Sequence, residues 1–161
     1  MKRHKTFATE RLLLKPISLE DAELVFELLN SPKWVKYIGD RNIKSIKDAK
    51  KYIRTKMLPQ LIRIGFSVYT LVIKQNNIKI GTCGLYDREG IDGIDIGFAL
   101  LPEYEKKGYA FDSSKKLMNV AFNEFGVKEI SAITTEKNIS SIKLLQRLDF
   151  KLNGFTKIPG D

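Results

Sequence analysis

Residues 93–125 read GIDIGFALLPEYEKKGYAFDSSKKLMNVAFNEF, and the joint inside this stretch decides the fold. Ile94, Ile96, Phe98 and Leu100 alternate with Asp95, Gly97 and Ala99, the period-2 pattern of a strand. Pro102 ends it, and a polar turn runs from Glu103 to Lys107. From Gly108 the period changes. Ala110, Ser114, Leu117, Met118, Ala121, Phe122 and Phe125 recur at the spacing of one helix face, and Gly126 supplies a C-terminal stop.

A strand that feeds a helix through Lys-Lys-Gly has a chemical consequence. The helix start carries unpaired backbone N–H groups and the positive end of the dipole, which together suit an anion. Gly108 has no Cβ, so a phosphate can lie against the backbone, and Lys106 and Lys107 add positive charge. Three charge-assisted amide bonds would contribute about 5 kcal/mol, against the ~8 kcal/mol of micromolar binding. The alternative is an ordinary strand–turn–helix joint with no ligand. Neither GxxxxGK[ST] nor GxGxxG occurs, which excludes the two common nucleotide fingerprints.

Composition narrows the classes. At 161 residues, 43% hydrophobic and 29% charged, the chain is expected to be one globular domain, residues 1–161, without need of staples. The only cysteine, Cys83, excludes an internal disulfide, and in an apolar strand without a histidine partner it reads as a buried structural residue. No apolar run reaches membrane-spanning length and the start lacks a signal-peptide core, so a cytoplasmic protein without a membrane partner is expected. A net charge of +9 raises the question of nucleic acid, but the lysines are spread along the chain and are not interleaved with aromatics. A solvated basic surface is the preferred reading; a basic RNA-associated domain is the other. The one histidine, His4, lies near the N-terminus, so Ser-His-Asp, Cys-His and histidine-metal chemistry lack their imidazole and no metal is expected.

Outward from the central stretch, 11–17 reads as a strand ended by Pro16, and Ser18 with Asp21 resembles a capping box before a helix from Leu19 to Leu29. Residues 33–40 read as a loop rich in aromatics. Trp34 and Tyr37 there are candidates for a substrate-pocket wall, with Tyr86 as a third, or simply for a lid on the core. Ser45 and Asp48 open a second helix to about Ile64, which Pro59 should kink or split. Strands 66–74 and 78–86 flank Gln75-Asn76-Asn77, a turn suited to positive φ. After the central helix a strand is expected over 128–135, a helix from about Ile139 to Leu148 and a last strand over 150–155.

Taken together these segments resemble the Gcn5-related N-acetyltransferase superfamily, nearest the branch of RimJ/RimL-type ribosomal-protein N-terminal acetyltransferases. The resemblance rests on Thr9-Glu10-Arg11-Leu12-Leu13-Leu14-Lys15-Pro16 with Glu20-Asp21-Ala22, on Ile80-Gly81-Thr82-Cys83-Gly84-Leu85, and on Asp95-Ile96-Gly97-Phe98. It continues through 101–110, LPEYEKKGYA, and through Asn138-Ile139-Ser140-Ser141 with Leu148-Asp149-Phe150. The fold it implies is α/β (α+β): a mixed, mostly antiparallel sheet of six to seven strands with helices on both faces. Its fourth and fifth strands, 93–100 and 128–135, would splay apart.

The cofactor implied is acetyl-CoA, as acyl-donor cosubstrate. Glu105, Lys106, Lys107, Gly108, Tyr109 and Ala110 match the family's Q/R-x-x-G-x-G/A loop, which holds the diphosphate, with Glu105 replacing the usual first residue. Phe98, Ala99 and Leu100 match the strand whose backbone pairs with pantetheine, Asn138 an asparagine that contacts the coenzyme, and Ser141 a position facing the sulfur. Where many members carry a tyrosine acid, this chain has Leu145. Asp95 and Glu136 are the candidate bases, acting through water, or else structural carboxylates.

The reaction implied is direct transfer of acetyl to a primary amine, either a protein or peptide N-terminus or a small amine. An α-amine is about a tenth neutral at pH 7 while a lysine-like amine is neutral about once in two thousand molecules, which favours the α-amine where no strong base is evident. A polyamine acetyltransferase and a non-catalytic acyl-CoA-binding module are the alternatives. The family's closing strand is missing from this reading, since the chain ends at Ile158-Pro159-Gly160-Asp161; a homodimer partner is one way to cover the edge so exposed.

Overall fold

Six strands form one sheet in the order β1 (Phe7–Ala8), β2 (Leu12–Pro16), β3 (Val68–Ile73), β4 (Lys79–Tyr86), β5 (Ile94–Leu100) and β6 (Ile130–Ala132). The computed structural model describes residues 4–155. Neighbours are antiparallel from β1 to β5, whereas β5 and β6 are parallel. The parallel pair is joined through a crossover helix, α5 (Tyr109–Asn123), as parallel strands require. The mixed, mostly antiparallel sheet is the one expected.

The alternation of side chains divides the interior into two cores. On one face Leu12, Leu14, Leu71, Ile80, Leu85 and Leu117 have no accessible surface, and α5 covers them. Each such side chain contributes roughly 1.5–3 kcal/mol of burial. On the other face Val68 and Leu101 pack with Ile17, Val25, Leu28, Ala49 and Ile53 from the helices α1 (Ala22–Leu29) and α3 (Ile46–Tyr52) and the segments beside them.

Local chemistry sets the boundaries. Ser18 and Asp21 form the capping box, around a 3-10 turn, Leu19–Asp21, that leads into α1. Ser45 accepts the Asp48 amide at 3.0 Å to start α3. The helical region does break, but before Pro59: a π-turn spans Ile53–Met57, and Pro59 lies in the first turn of α4 (Leu58–Ile64). A proline has no N–H and crowds the carbonyl four residues earlier, so the ladder widens upstream of it. Asn77 takes φ +60° in the β3–β4 turn, as the Gln-Asn-Asn sequence suggests.

Some expectations need correction. Residues 33–40 are not a loop: Pro32–Tyr37 is a helix, α2, started by a proline at its first positions. The strand over 128–135 shrinks to Ile130–Ala132. Residues 150–155 are not a strand either: they follow α6 and Asp149 at φ +70° and pair with no strand among the described residues. Phe122, placed on the inner face of α5, is 43% exposed; Val120 is buried in its stead. The closing segment, 158–161, lies outside the described residues.

Candidate functional site

Strand β5 pairs with β4 along its length, from Asp95 to Leu100. Its pairing with β6 is shorter: Ile94↔Ile130, Asp95↔Ser131 and Ile96↔Ala132. Beyond Ile96 the two strands part, which leaves the β6-side edge of Gly97–Leu100 without a strand partner among the described residues. This is the expected splay. Successive residues of a strand turn their backbone groups to opposite edges, so Phe98 and Leu100 offer theirs to a ligand lying alongside, as an added strand would use them, whereas Ala99 turns its carbonyl toward Gly81 of β4.

The edge leads directly to the joint. A 3-10 turn, Pro102–Tyr104, is followed by Lys106 at φ +60° and Gly108 at φ +85°, with Lys106, Lys107 and Gly108 all exposed. Positive φ on either side of Lys107 gives the concave, amide-lined turn that binds anions elsewhere. Gly108 is the N-cap of α5 and no side chain caps that end. The first helical bond runs from the Asp112 amide to the Gly108 carbonyl at 3.0 Å, so the amides of Tyr109, Ala110 and Phe111 stay outside the ladder.

Two side chains distant in sequence brace this turn, and neither was singled out as a site residue. Arg11, immediately before β2, donates from Nη1 to the Lys107 carbonyl at 2.9 Å and from Nε to Asp112 Oδ2 at 3.0 Å, and stacks 4.4 Å from the Tyr109 ring. Lys33 on α2 forms an ion pair with Glu105 at 2.7 Å, so Glu105 ties the turn to a helix of the opposite face. Phe111 in the first turn of α5 lies between Lys115, at 5.8 Å, and Arg147, at 4.5 Å.

On the face away from α5, Asp95 is 1% exposed and accepts from Arg88 Nε through both oxygens, at 2.9 and 3.1 Å. Burial pushes its carboxyl up, partly opposed by the Arg88 guanidinium. Arg88 also stacks 4.7 Å from the Tyr86 ring. Tyr86 lies flat on the sheet over Gly84 and Gly97, where any added Cβ would meet its ring or hydroxyl at 2.8–3.1 Å. Burial raises the Tyr86 and Tyr52 hydroxyls as well. Trp34 and Tyr86 both pack against the second core, so two of the three proposed acceptor-wall residues share one side of the sheet. Tyr37 is one turn further along α2, with Lys36 Nζ 5.0 Å from its ring. The Trp34 indole N–H is buried without a hydrogen-bond partner.

Helix α6 (Ile139–Arg147) begins at Asn138, whose Oδ1 accepts the Ser141 amide at 3.4 Å and the Ser140 hydroxyl at 3.3 Å. The cap occupies Oδ1 and leaves the amide nitrogen of Asn138 as a donor. Ser141 is half-buried in the first turn and Leu145 is buried one turn on. Glu136 does not end a strand as expected; it is exposed in a turn four residues past β6. Cys83 is fully buried against Ser114, 3.7 Å away, and burial pushes its thiol up to about 11. Among the described residues no three of His, Cys, Asp and Glu are grouped to hold a metal, and no helix is long and apolar enough to cross a membrane.

Residues 11–151 match the family model described as acetyltransferase (GNAT) domain. The uncharacterized N-acetyltransferase p20 of Bacillus licheniformis is 30% identical over 156 residues, covering 95% of this chain and 86% of that protein. Among solved structures, an acetyltransferase from Agrobacterium tumefaciens superposes with a TM-score of 0.83 at 18% identity, covering 99% of this chain and 91% of the other. RimL, the ribosomal L7/L12 α-N-protein acetyltransferase in complex with coenzyme A, superposes with a TM-score of 0.80 at 17% identity, over 98% and 92% of the two chains. At these identities the structural likeness speaks for the fold.

Proposed function

Because this chain belongs to the acetyltransferase (GNAT) family and is an acetyl-CoA-dependent acyltransferase, we propose that it acetylates a primary amine by direct attack, with an α-amino group as the preferred acceptor. The reading is carried by one observation: the unpaired edge of Gly97–Leu100 runs straight into an uncapped helix start. An extended pantetheine would pair with the first and a diphosphate would meet the second. The uncapped amides of 109–111, the Cβ-free Gly108 and the exposed Lys106 and Lys107 suit that group. Glu105 takes part by holding the turn through Lys33.

When bound, the acetyl thioester supplies the electrophilic carbonyl. The chain's own part is to place the amine and to handle one proton. Trp34, Tyr37 and Tyr86 form the acceptor wall. Asp95 receives the proton that the amine releases, through water, with its raised carboxyl making it a better base than an ordinary aspartate. Glu136, exposed in its turn, is the second carboxylate for that task. Ser141 would steady the leaving thiolate by a hydrogen bond from its hydroxyl, without giving up the proton, and Asn138 orients the first turn of α6 while its amide nitrogen is left to donate to the coenzyme. An α-amine is the acceptor this modest base can serve. Support also comes from the RimL-type neighbour, named for α-N-protein acetylation, which agrees with the RimJ/RimL-like motifs along the chain.

A thiol-release assay with acetyl-CoA, a panel of peptides with free N-termini, and spermidine tests the reading. The expected result is turnover on peptides well above that on spermidine, with Asp95→Asn lowering kcat by about 10²-fold or more. A clear preference for spermidine, or full activity in Asp95→Asn, would overturn it.

A further inference from the structure

We propose that Arg11 is a positioning residue for the donor site: it cancels the first-turn carboxylate of Asp112 and turns the Lys107–Gly108 peptide so that its N–H faces a diphosphate. The inference rests on the donor-site reading above and extends it to a residue about a hundred positions away in sequence.

Asp112 is the acidic residue of the first turn of α5. A carboxylate there stabilises the helix, but it competes for the same positive helix end that a diphosphate would use. Left alone, it would repel the ligand. Arg11 answers it with two nitrogens: Nε and Nη2 both donate to Asp112 Oδ2, at 3.0 and 2.5 Å. The third nitrogen, Nη1, donates to the Lys107 carbonyl at 2.9 Å. Each of the three guanidinium nitrogens thus gives one N–H to the protein, which makes Arg11 a brace for the turn.

The bond to Lys107 has a second effect. In a planar trans peptide the C=O and the next N–H point in opposite directions. Anchoring the Lys107 carbonyl on Arg11 therefore aims the Gly108 N–H away from Arg11. The side toward Arg11 is filled: Nη2 stands 3.1 Å from where a Cβ on Gly108 would be. Arg11 itself is fixed by its place in the sheet, where its carbonyl accepts the Lys74 amide at 2.9 Å and the next residue, Leu12, is fully buried. The sheet thereby holds the turn at two positive-φ residues, Lys106 and Gly108, in the form that presents its amides.

Calorimetric titration of the full chain with coenzyme A, for Arg11→Ala, Asp112→Asn and the double variant, tests this. Arg11→Ala should weaken binding about tenfold (about 1.4 kcal/mol), and the loss should shrink as ionic strength rises from about 0.02 M to about 0.5 M. Adding Asp112→Asn should recover about threefold of that loss, the part due to the uncancelled carboxylate, while the part due to the lost anchor on the Lys107 carbonyl remains; a general loss of folding would give no recovery. Arg11→Lys, which keeps the charge but not the fork, should fall between the two. Amide hydrogen exchange over 106–110 should be faster in Arg11→Ala than in the unmodified protein without any ligand, a readout that does not involve turnover. Unchanged affinity in Arg11→Ala, or no rescue by Asp112→Asn, would overturn the inference while leaving the donor site standing. No affinity of the unmodified protein for coenzyme A would overturn both.

Discussion

Replacing Arg88 with alanine isolates a carboxylate inside the sheet, and the cost can be worked from the geometry. Asp95 is 1% exposed, and Arg88 Nε, reaching both oxygens at 2.9 and 3.1 Å, is the ion-pair partner it has. Removing one member of a fully buried pair costs about 3–5 kcal/mol. A third of the Arg88 side chain meets water, so the solvent-screened figure is about 2 kcal/mol, with the lost stacking on Tyr86 included. For a chain of this length that is a fall in Tm of about 4–8 °C. The pH dependence gives the sharper test. Burial already holds the Asp95 carboxyl above its ordinary value and Arg88 opposes that rise, so the variant's carboxyl climbs further. An acid raised in the folded state keeps its proton where the unfolded chain has released it, and stability is lost as pH rises through that window. The gap between variant and parent should therefore be narrow near pH 4, widen with rising pH, and level off above the variant's folded value. Urea unfolding at a series of pH values measures it, and Arg88→Ala combined with Asp95→Asn should recover most of the loss. A gap below about 0.5 kcal/mol at pH 7.5, or one that does not change with pH, would refute the reasoning.

Gly108→Ala forces an L-residue to φ +85° and should lower stability by about 1–2 kcal/mol while weakening coenzyme A binding at least tenfold, as read by melting and calorimetry. Gly81→Ala places a Cβ that overlaps the Ala99 carbonyl oxygen and lies 2.9 Å from Leu100 Cα, both backbone atoms of β5; a loss of about 3 kcal/mol in urea unfolding, or failure to fold, is expected. The Cys83 thiol, pushed up to about 11, should resist alkylation at pH 8 in the native protein and react once urea unfolds it. Because the unfolded thiol ionises first, near pH 8.5, Cys83 should cost the fold about 1.4 kcal/mol per pH unit from there to about pH 11, a slope that Cys83→Ala removes.

The parts of the fold legible in the sequence are those written in short-range pattern. Period-2 alternation places β5 with Asp95 on one face and Ile96 on the other, Gln-Asn-Asn announces the turn at Asn77, and Lys-Lys-Gly announces the helix start. What the pattern hid was set by partners far along the chain. Residues 33–40 read as a loop because Asn30-Ser31-Pro32 is a stop signal for the helix before it, yet Pro32 starts a helix whose Trp34 is packed into the second core. Ile130, Ala132 and Thr134 alternate like a full strand, but β5 pairs only with Ile130, Ser131 and Ala132. Arg11 and Asp112 are separated by 101 residues, so no window of sequence contains both. The Asp95–Arg88 pair was within reach, being seven residues apart across the β4–β5 connection.

The sheet acts as a partition. Its α5 side carries the turn assigned to the cofactor, its α1 side carries Trp34 and Tyr86, and Tyr104 packs against both cores at the place where they meet. On the proposed reading, such a layout lets the two halves change at different rates: exposed residues of α1 to α4 can be replaced while the buried Val25, Leu28, Ala49 and Ile53 and the turn on the opposite half stay as they are. An engineer altering the exposed α1 side would leave Asp95, Tyr104 and the Lys33–Glu105 tether alone, since the last two are the seams through which a change on one side would reach the other.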